Sequence, residues 1–144
     1  MTQLVIDASV SVKWLVAEEG SDAADQLLAG DDDLHAPRLM ASEVANALWR
    51  KVRLGQVERG QAGVLMAAVP AMPLRWCADE TVCADAVRLA VALDRPVYDC
   101  VYLALAHRID ARMVTADVRF ANFLTGTEHG GTVMLLADYA KEQS

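Results

Sequence analysis

The chain has 144 residues, 54% of them hydrophobic, and a formal net charge of −7. This length is in the commonest range for one domain, and the apolar content suffices for a sizeable core, so we expect a single domain over residues 1–144. The longest apolar stretch, residues 63–72, contains Pro70 and is far shorter than the roughly 20 residues that a membrane-spanning helix needs. Residues 1–16 carry Asp7 and Lys13 and do not resemble a signal peptide, so we expect a cytoplasmic protein.

The three cysteines and three histidines do not have the spacing of zinc ligands, because the sequence contains neither a CxxC pair nor an HxxxH pair. We therefore expect neither a zinc site nor a disulfide framework. The acidic net charge by itself argues against a nucleic-acid-binding protein, since phosphate contacts are normally made by a basic surface.

Hydrophobic periodicity and turn residues predict alternating strands and helices along the chain. In chain order we predict a strand at residues 3–6, helical turns at 11–16, a helix that begins within 20–22 and ends at 28, a strand at 33–36, helices at 39–53 and 58–69, a strand at 74–77, helices at 80–93 and 98–108, a strand at 112–115, a helix at 118–124 and a strand at 132–136. This alternation predicts an α/β domain whose mainly parallel central sheet is covered by helices on both faces.

Four carboxylates occupy informative places in this pattern. Asp7 directly follows one predicted strand, and Asp117 comes two residues after the end of another. Ligands of open parallel sheets bind beyond the carboxyl ends of the strands, where the strand order reverses. Asp99 lies in the first turn of a nearly all-apolar helix, and Glu43 lies inside the helix at 39–53. Each acid also has a local explanation: the three aspartates as helix N-caps, and Glu43 as a residue favoured by the helix dipole or by a solvated face.

Together, the four acids predict one acidic pocket that needs a bound cation. Mg²⁺ takes oxygen ligands, keeps several waters and usually needs only one or two protein carboxylates directly, and carboxylate and water ligands suit Mn²⁺ equally. Such a site suits phosphodiester hydrolysis, because the cation activates water and stabilises charge on the phosphoryl oxygens. The sequence contains no GxSxG, P-loop or GxGxxG motif that would favour serine chemistry or a nucleotide cradle.

Five stretches of the sequence carry a resemblance to a known family. They are Val5-Ile6-Asp7-Ala8-Ser9, Ser42-Glu43-Val44-Ala45-Asn46-Ala47-Leu48, Arg53-Leu54-Gly55, Tyr98-Asp99-Cys100-Val101-Tyr102-Leu103-Ala104-Leu105-Ala106 and Thr115-Ala116-Asp117-Val118-Arg119-Phe120. In order and spacing they resemble the motifs of the PIN-domain ribonucleases, and among these the VapC toxins of bacterial toxin–antitoxin pairs. The resemblance covers nearly the whole chain.

The resemblance implies a three-layer α/β/α fold, RNA cleavage that depends on Mg²⁺ or Mn²⁺, a homodimer and a VapB-like antitoxin as partner. Carried over residue by residue, it makes metal and catalytic residues of Asp7, Glu43, Asp99 and Asp117. Thr115 and Asn46 would support them through hydrogen bonds, and Ser9 is a further supporting candidate. Some relatives have another acid where this chain has Arg119, which argues against a stable second metal site.

With a cation bound, an acidic pocket attracts phosphate, so the net charge does not exclude RNA as the substrate. We also expect a basic rim near the pocket, formed by Lys13, Arg38, Arg50, Lys51, Arg53 and Arg59, although each of these is equally well explained as part of a solvated helix face. The three tryptophans, Trp14, Trp49 and Trp76, are candidates for stacking on bases, but such residues more often fill a core or an interface.

Three rival interpretations remain. A phosphate-accepting receiver domain expects paired acids after the first strand, and a haloacid-dehalogenase-like phosphatase expects a DxD motif, whereas this chain has Asp7-Ala8-Ser9. The third is a catalytically inactive PIN-like scaffold that only binds protein, and the presence of all four acids argues against it.

Overall fold

The computed structural model describes residues 2–144. The strands are Gln3–Ile6 (β1), Asp33–Pro37 (β2), Leu74–Cys77 (β3), Arg112–Thr115 (β4) and Val133–Leu135 (β5). The helices are Ala8–Leu15 (α1), Ser21–Ala29 (α2), Leu39–Arg53 (α3), Ala62–Met66 (α4), Cys83–Leu93 (α5), Val97–Arg108 (α6), Val118–Thr125 (α7) and Leu136–Glu142 (α8). Short 3₁₀ turns occur at Val69–Ala71, Asp79–Thr81 and Gly130–Thr132.

The five strands form one sheet in the order β3-β2-β1-β4-β5, and every neighbouring pair is parallel. The predicted α/β class with a mainly parallel sheet is therefore confirmed. The central strand β1 has β2 on one side and β4 on the other, so the strand order reverses between β1 and β4. Ile6 pairs with Val114 in this register, which brings the carboxyl ends of the two strands together.

Both faces of the sheet are covered by helices, as a three-layer α/β/α fold requires. Side chains alternate along β1, so that Val5 joins one hydrophobic cluster while Leu4 and Ile6 join the other. The first cluster contains the buried side chains of α3, α5, α6 and α7, and the second contains those of α2 and α8. Within residues 2–144 no helix combines the length and the apolar character needed to cross a membrane.

Helix α6 is the most deeply buried helical segment, as its nearly all-apolar sequence predicts. Seven consecutive residues, 100–106, are buried on every side of the helix. The helix contacts α5 and the strands β1, β2 and β4. Because α6 is held on all sides, the residues of its first turn have a fixed position relative to the sheet.

Several predicted helix boundaries are wrong, and one helix was not predicted. Helix α1 begins at Ala8 instead of residue 11, because the Asp7 side chain accepts a hydrogen bond from the Val10 N–H and caps it. The helix predicted at 58–69 shrinks to α4, which is followed by a 3₁₀ turn at Val69–Ala71 that contains Pro70. Helix α5 starts after a separate 3₁₀ turn. Helix α8 was not predicted: it has no side-chain cap, and buried Leu136 and Tyr139 anchor it.

We expect Leu103→Ala to lower the free energy of unfolding by about 2–5 kcal/mol, because Leu103 is fully buried in α6 and its truncation leaves a cavity. Leu54→Ala is the matched control, since Leu54 is 72% exposed, and we expect a change within about 0.5 kcal/mol. Urea unfolding of the two variants measures both values. Equal effects would contradict the central position of α6.

Candidate active site

A cavity of about 480 Å³ opens where β1 and β4 end. Its lining combines residues that follow these two strands with residues on the facing sides of α3 and α6. All four carboxylates predicted from the sequence line it: Asp7, Glu43, Asp99 and Asp117. The fold therefore brings together acids that are as far apart in sequence as residues 7 and 117.

Asp7 is the most buried of these acids, with 8% of its surface exposed. The Ser9 hydroxyl donates to its Oδ1 atom at 2.5 Å, and the Thr115 hydroxyl donates to its Oδ2 atom at 2.5 Å. The Val10 N–H also donates to Oδ1, so Asp7 serves as the N-cap of α1 as well. Both carboxylate oxygens thus have a fixed orientation at the end of β1.

Thr115 and Ser9 also connect Asp7 to the segment that carries Asp117. The Asp117 N–H donates to the Thr115 hydroxyl at 3.0 Å, and the Ala116 N–H donates to the Ser9 hydroxyl at 2.9 Å. Each hydroxyl therefore donates to Asp7 while it accepts from the backbone that follows β4. Through these hydrogen bonds, Ser9 and Thr115 hold Asp7 and the backbone next to Asp117 in place.

Asp117 is exposed and caps α7, since its Oδ1 atom accepts from the Phe120 N–H at 3.1 Å. The N-cap explanation that the sequence left open for this residue is therefore correct as a description of its local role. A cap uses one oxygen of the carboxylate and leaves the other free to face the cavity.

Glu43 is half-buried on α3, and its Oε1 atom accepts a hydrogen bond from the hydroxyl of Tyr102. Tyr102 is 3% exposed and lies on α6, three residues after Asp99. This buried donor fixes one oxygen of Glu43. Asn46 follows Glu43 by one helical turn and lines the same cavity.

Asp99 is half-buried in the first turn of α6, where Arg95 is its basic neighbour. Arg95 Nε lies 3.9 Å from Asp99 Oδ2. The guanidinium also covers the rings of Phe120 and Phe123, with its central carbon 5.4 Å and 4.7 Å from the ring centroids. Arg95 therefore joins the start of α6 to α7.

Burial and mutual repulsion disfavour the charged forms of three of these acids. Burial raises the pKa of Asp7 from 3.8 to about 6, and the negative charge of Glu43 adds to the increase. Burial also raises the pKa of Glu43, with contributions from the Asp99 and Asp79 charges. The pKa of Asp99 is raised by burial and by the Asp117 charge, although Arg95 opposes the increase. Repulsion therefore links neighbouring acids across the cavity, from Asp7 to Glu43, from Glu43 to Asp99 and from Asp99 to Asp117.

The donor set fits a hard divalent cation. Every candidate ligand is a carboxylate oxygen, and the like charges that face one another repel until a cation neutralises them. Among residues 2–144, no three His, Cys, Asp or Glu side chains stand close enough together to form a ready-made metal cage. Mg²⁺ and Mn²⁺ do not need such a cage, because waters complete a coordination shell anchored by one or two carboxylates.

The predicted basic rim is reduced in the structure to one residue, Arg50, which alone of the six candidates lines the cavity. Lys51 Nζ lies 2.9 Å and Lys13 Nζ 4.0 Å from Glu18, so this acid engages both lysines. Arg53 covers the ring of Trp49 at 5.1 Å instead. The remaining candidates, Arg38 and Arg59, line other cavities.

Two contacts of the site were not predicted: the hydrogen bond from Tyr102 to Glu43 and the approach of Arg95 to Asp99. Tyr102 shares a helical face with Asp99, but its partner lies 59 residues away, and one sequence contains no record of that pairing. Arg95 stands four residues before Asp99, and this i, i+4 spacing is a signal that sequence analysis can use.

Comparisons with known proteins agree with this architecture. The profile of the PIN domain family matches residues 4–123. Ribonuclease VapC3 of Pyrobaculum aerophilum is 33% identical over 123 residues, which cover 83% of this chain and 92% of the relative.

Solved structures share the fold at lower sequence identity. The protein PAE2754 of Pyrobaculum aerophilum superimposes with a TM-score of 0.71 at 22% identity and covers 98% of this chain and 94% of its own. VapC20 of Mycobacterium tuberculosis, described as a toxin that cleaves the sarcin-ricin loop, has a TM-score of 0.65 at 15% identity over 83% of this chain and 93% of its own. The VapBC2 complex of Rickettsia felis, bound to a promoter DNA fragment, has a TM-score of 0.62 at 12% identity. The match covers 93% of this chain and 97% of the matched chain.

We expect Asp7→Asn to stabilise the metal-free protein at neutral pH. Because the pKa of Asp7 is raised in the folded state, folding favours its protonated form. The stability that protonated Asp7 contributes is fully present below pH about 4 and is lost as the pH rises through about 6. The pKa shift from 3.8 to about 6 corresponds to about 3 kcal/mol of folding free energy. We expect Asp7→Asn to gain about 1–3 kcal/mol of this, because the NH₂ group of asparagine then faces a hydroxyl that donates to the aspartate.

Thermal and urea unfolding in EDTA at about pH 7.5 and about pH 4 measures this gain. The stabilisation should be present at the higher pH and vanish at the lower one. Asp25→Asn is the control, since Asp25 is exposed on α2. An Asp7→Asn variant that is less stable than the wild type at both pH values would show that its hydrogen bonds outweigh its buried charge.

Proposed function

The chain belongs to the PIN-domain family, and on that premise we propose that it is a divalent-metal-dependent endoribonuclease that acts as the toxin of a type II toxin–antitoxin pair. The observation that carries the proposal is the convergence of Asp7, Glu43, Asp99 and Asp117 on one cavity at the carboxyl edge of the sheet. The name of the ribonuclease relative, which is 33% identical, supports the same activity.

The cation that we propose is Mg²⁺ or Mn²⁺, held by the four acids directly or through water. When bound, it lowers the pKa of a water molecule and stabilises charge on the phosphoryl oxygens. Hydrogen bonds within the chain orient two of the proposed metal-binding acids: Ser9 and Thr115 donate to Asp7, and Tyr102 donates to Glu43. Asn46, on the same face of α3 as Glu43, is a further polar group for the cation's water shell.

These hydrogen bonds orient the acids and reduce the repulsion among them without adding a competing positive charge. A hydroxyl donor stabilises the ionised carboxylate, which is the form that binds a metal ion. The N-terminal ends of α1 and α7 act in the same way, because their N–H groups point at Asp7 and Asp117. The site thus keeps its acids oriented and available for a cation despite burial.

The partners that we propose are RNA as substrate, a VapB-like antitoxin and a second copy of the chain in a homodimer. Structural neighbours support the antitoxin, since they include the VapBC2 complex of Rickettsia felis and a toxin–antitoxin complex from Klebsiella pneumoniae. The latter has a TM-score of 0.59.

We expect the purified, antitoxin-free protein to cleave total cellular RNA with Mg²⁺ or Mn²⁺ and not with EDTA, and we expect Asp99→Asn to lower the rate at least about 100-fold, because it removes a charged cation ligand. Asp25→Asn, which changes an exposed acid outside the cavity, should cleave like the wild type. Gel analysis of the products measures the rates. Cleavage that survives in Asp99→Asn, or that never occurs with either metal, would favour the inactive protein-binding scaffold.

We expect Tyr102→Phe to weaken Mn²⁺ binding by about 10- to 100-fold, because it removes the hydroxyl that orients Glu43. Tyr139→Phe is a matched control: Tyr139 is also 3% exposed, but its hydroxyl donates to Asp32 on another part of the fold. Isothermal titration of Mn²⁺ measures both affinities. If the two variants bind Mn²⁺ equally, the Tyr102 hydroxyl has no part in the metal site.

A further inference from the structure

The acidic cavity has an exposed aromatic side chain at its edge, Tyr98. Three aromatic residues line the cavity, and two of them, Tyr102 and Phe120, are only 3% exposed. Tyr98 is 64% exposed, although it belongs to α6, which is buried throughout residues 100–106. Within residues 2–144 its hydroxyl has no hydrogen-bond partner, and most of its ring faces solvent beside the cavity.

The same cavity has a free guanidinium group, that of Arg50. It lies on α3 seven residues after Glu43, with Asn46 between them on the same face. Arg50 is exposed and forms no salt bridge within the described residues, whereas Arg95 approaches Asp99 and Lys51 is paired with Glu18. A guanidinium that four nearby acids leave unpaired is available for an external anion, and its planar geometry matches phosphate.

We propose that Tyr98 and Arg50 form a subsite for single-stranded RNA at the mouth of the acidic cavity, where Tyr98 stacks on a base and Arg50 binds a backbone phosphate. The proposal rests on the proposed function, since it takes the polymer hydrolysed in the cavity as its ligand. The cavity volume of about 480 Å³ is within the range of about 300–1,000 Å³ that is typical of ligand sites.

A single-stranded segment fits these two groups better than a duplex does. In an RNA duplex the bases are stacked on one another, and only an unpaired base can present its face to a tyrosine ring. Base stacking accepts every base, whereas the guanidinium recognises the backbone, so this subsite binds with little sequence preference. It also holds the polyanion through groups other than the cation. Part of the RNA affinity should therefore remain in EDTA, although the uncompensated acids of the cavity repel phosphate. A wild type that binds no oligonucleotide in EDTA would refute the subsite.

The test is fluorescence anisotropy in EDTA with a labelled, short single-stranded oligoribonucleotide of mixed sequence. We expect Tyr98→Ala to weaken binding about tenfold or more and Tyr98→Phe to bind within about twofold of the wild type, because phenylalanine keeps the stacking face. Trp49→Ala is the control: Trp49 is 52% exposed, but it lines a different cavity and Arg53 already covers its ring, so the structure does not support it as a stacking residue of this site. It should bind like the wild type.

Arg50→Gln should weaken binding and reduce the dependence of affinity on salt, because one phosphate contact is lost. Arg59→Gln is its control: Arg59 is exposed and lines a different cavity. If either Tyr98→Ala or Arg50→Gln binds the oligonucleotide as the wild type does, the two-residue subsite is refuted.

The binding readout separates this proposal from the proposed activity. Weakened binding by Tyr98→Ala supports the subsite even if the wild type cleaves no RNA, an outcome that would refute the nuclease alone. Unchanged binding by Tyr98→Ala, in a wild type that cleaves RNA with Mn²⁺, refutes the subsite and leaves the nuclease standing.

Discussion

The parallel pairing of β1 with β4 is the constraint on which the site depends. Because Ile6 pairs with Val114, the residues that follow the two strands emerge side by side, and the Thr115 hydroxyl reaches Asp7 while it accepts the N–H of Asp117. The strand order reverses between β1 and β4, so the connections that follow these two strands run in opposite directions and leave a crevice at their carboxyl ends. The burial of α6 then fixes Asp99, and α3 carries Glu43 to the same cavity.

Without a bound cation, the four clustered acids lower the folding stability of the protein. Burial and neighbouring negative charges raise the pKa of Asp7, Glu43 and Asp99, so the metal-free protein stores unfavourable electrostatic free energy in this cavity. A bound divalent cation would relieve that repulsion and so couple metal binding to folding stability. The donors that surround the acids are neutral hydroxyl and N–H groups, except for Arg95 beside Asp99.

The sequence could predict the features that depend on local periodicity and on strand ends. The bounds of the strand Arg112–Thr115 and the helix Leu39–Arg53 match the prediction. The strand has a short apolar run, Met113-Val114, and the helix has a long amphipathic pattern that Gly55 ends. It could not predict α8, which depends on tertiary burial of Leu136 and Tyr139. Nor could it find the hydrogen bond between Tyr102 and Glu43, or foresee that Glu18 engages Lys51, because the partners of each pair lie far apart in the sequence.

We propose that Asp7, Glu43, Asp99 and Asp117 act together as one cation site. Isothermal titration of Mn²⁺ into the wild type and into Asp7→Asn, Glu43→Gln, Asp99→Asn and Asp117→Asn tests it most directly, because binding is measured without RNA and without turnover. We expect every one of these changes to weaken Mn²⁺ binding and Asp25→Asn to leave it unchanged. Wild-type affinity in all four variants would show instead that the acids share a cavity without sharing a cation.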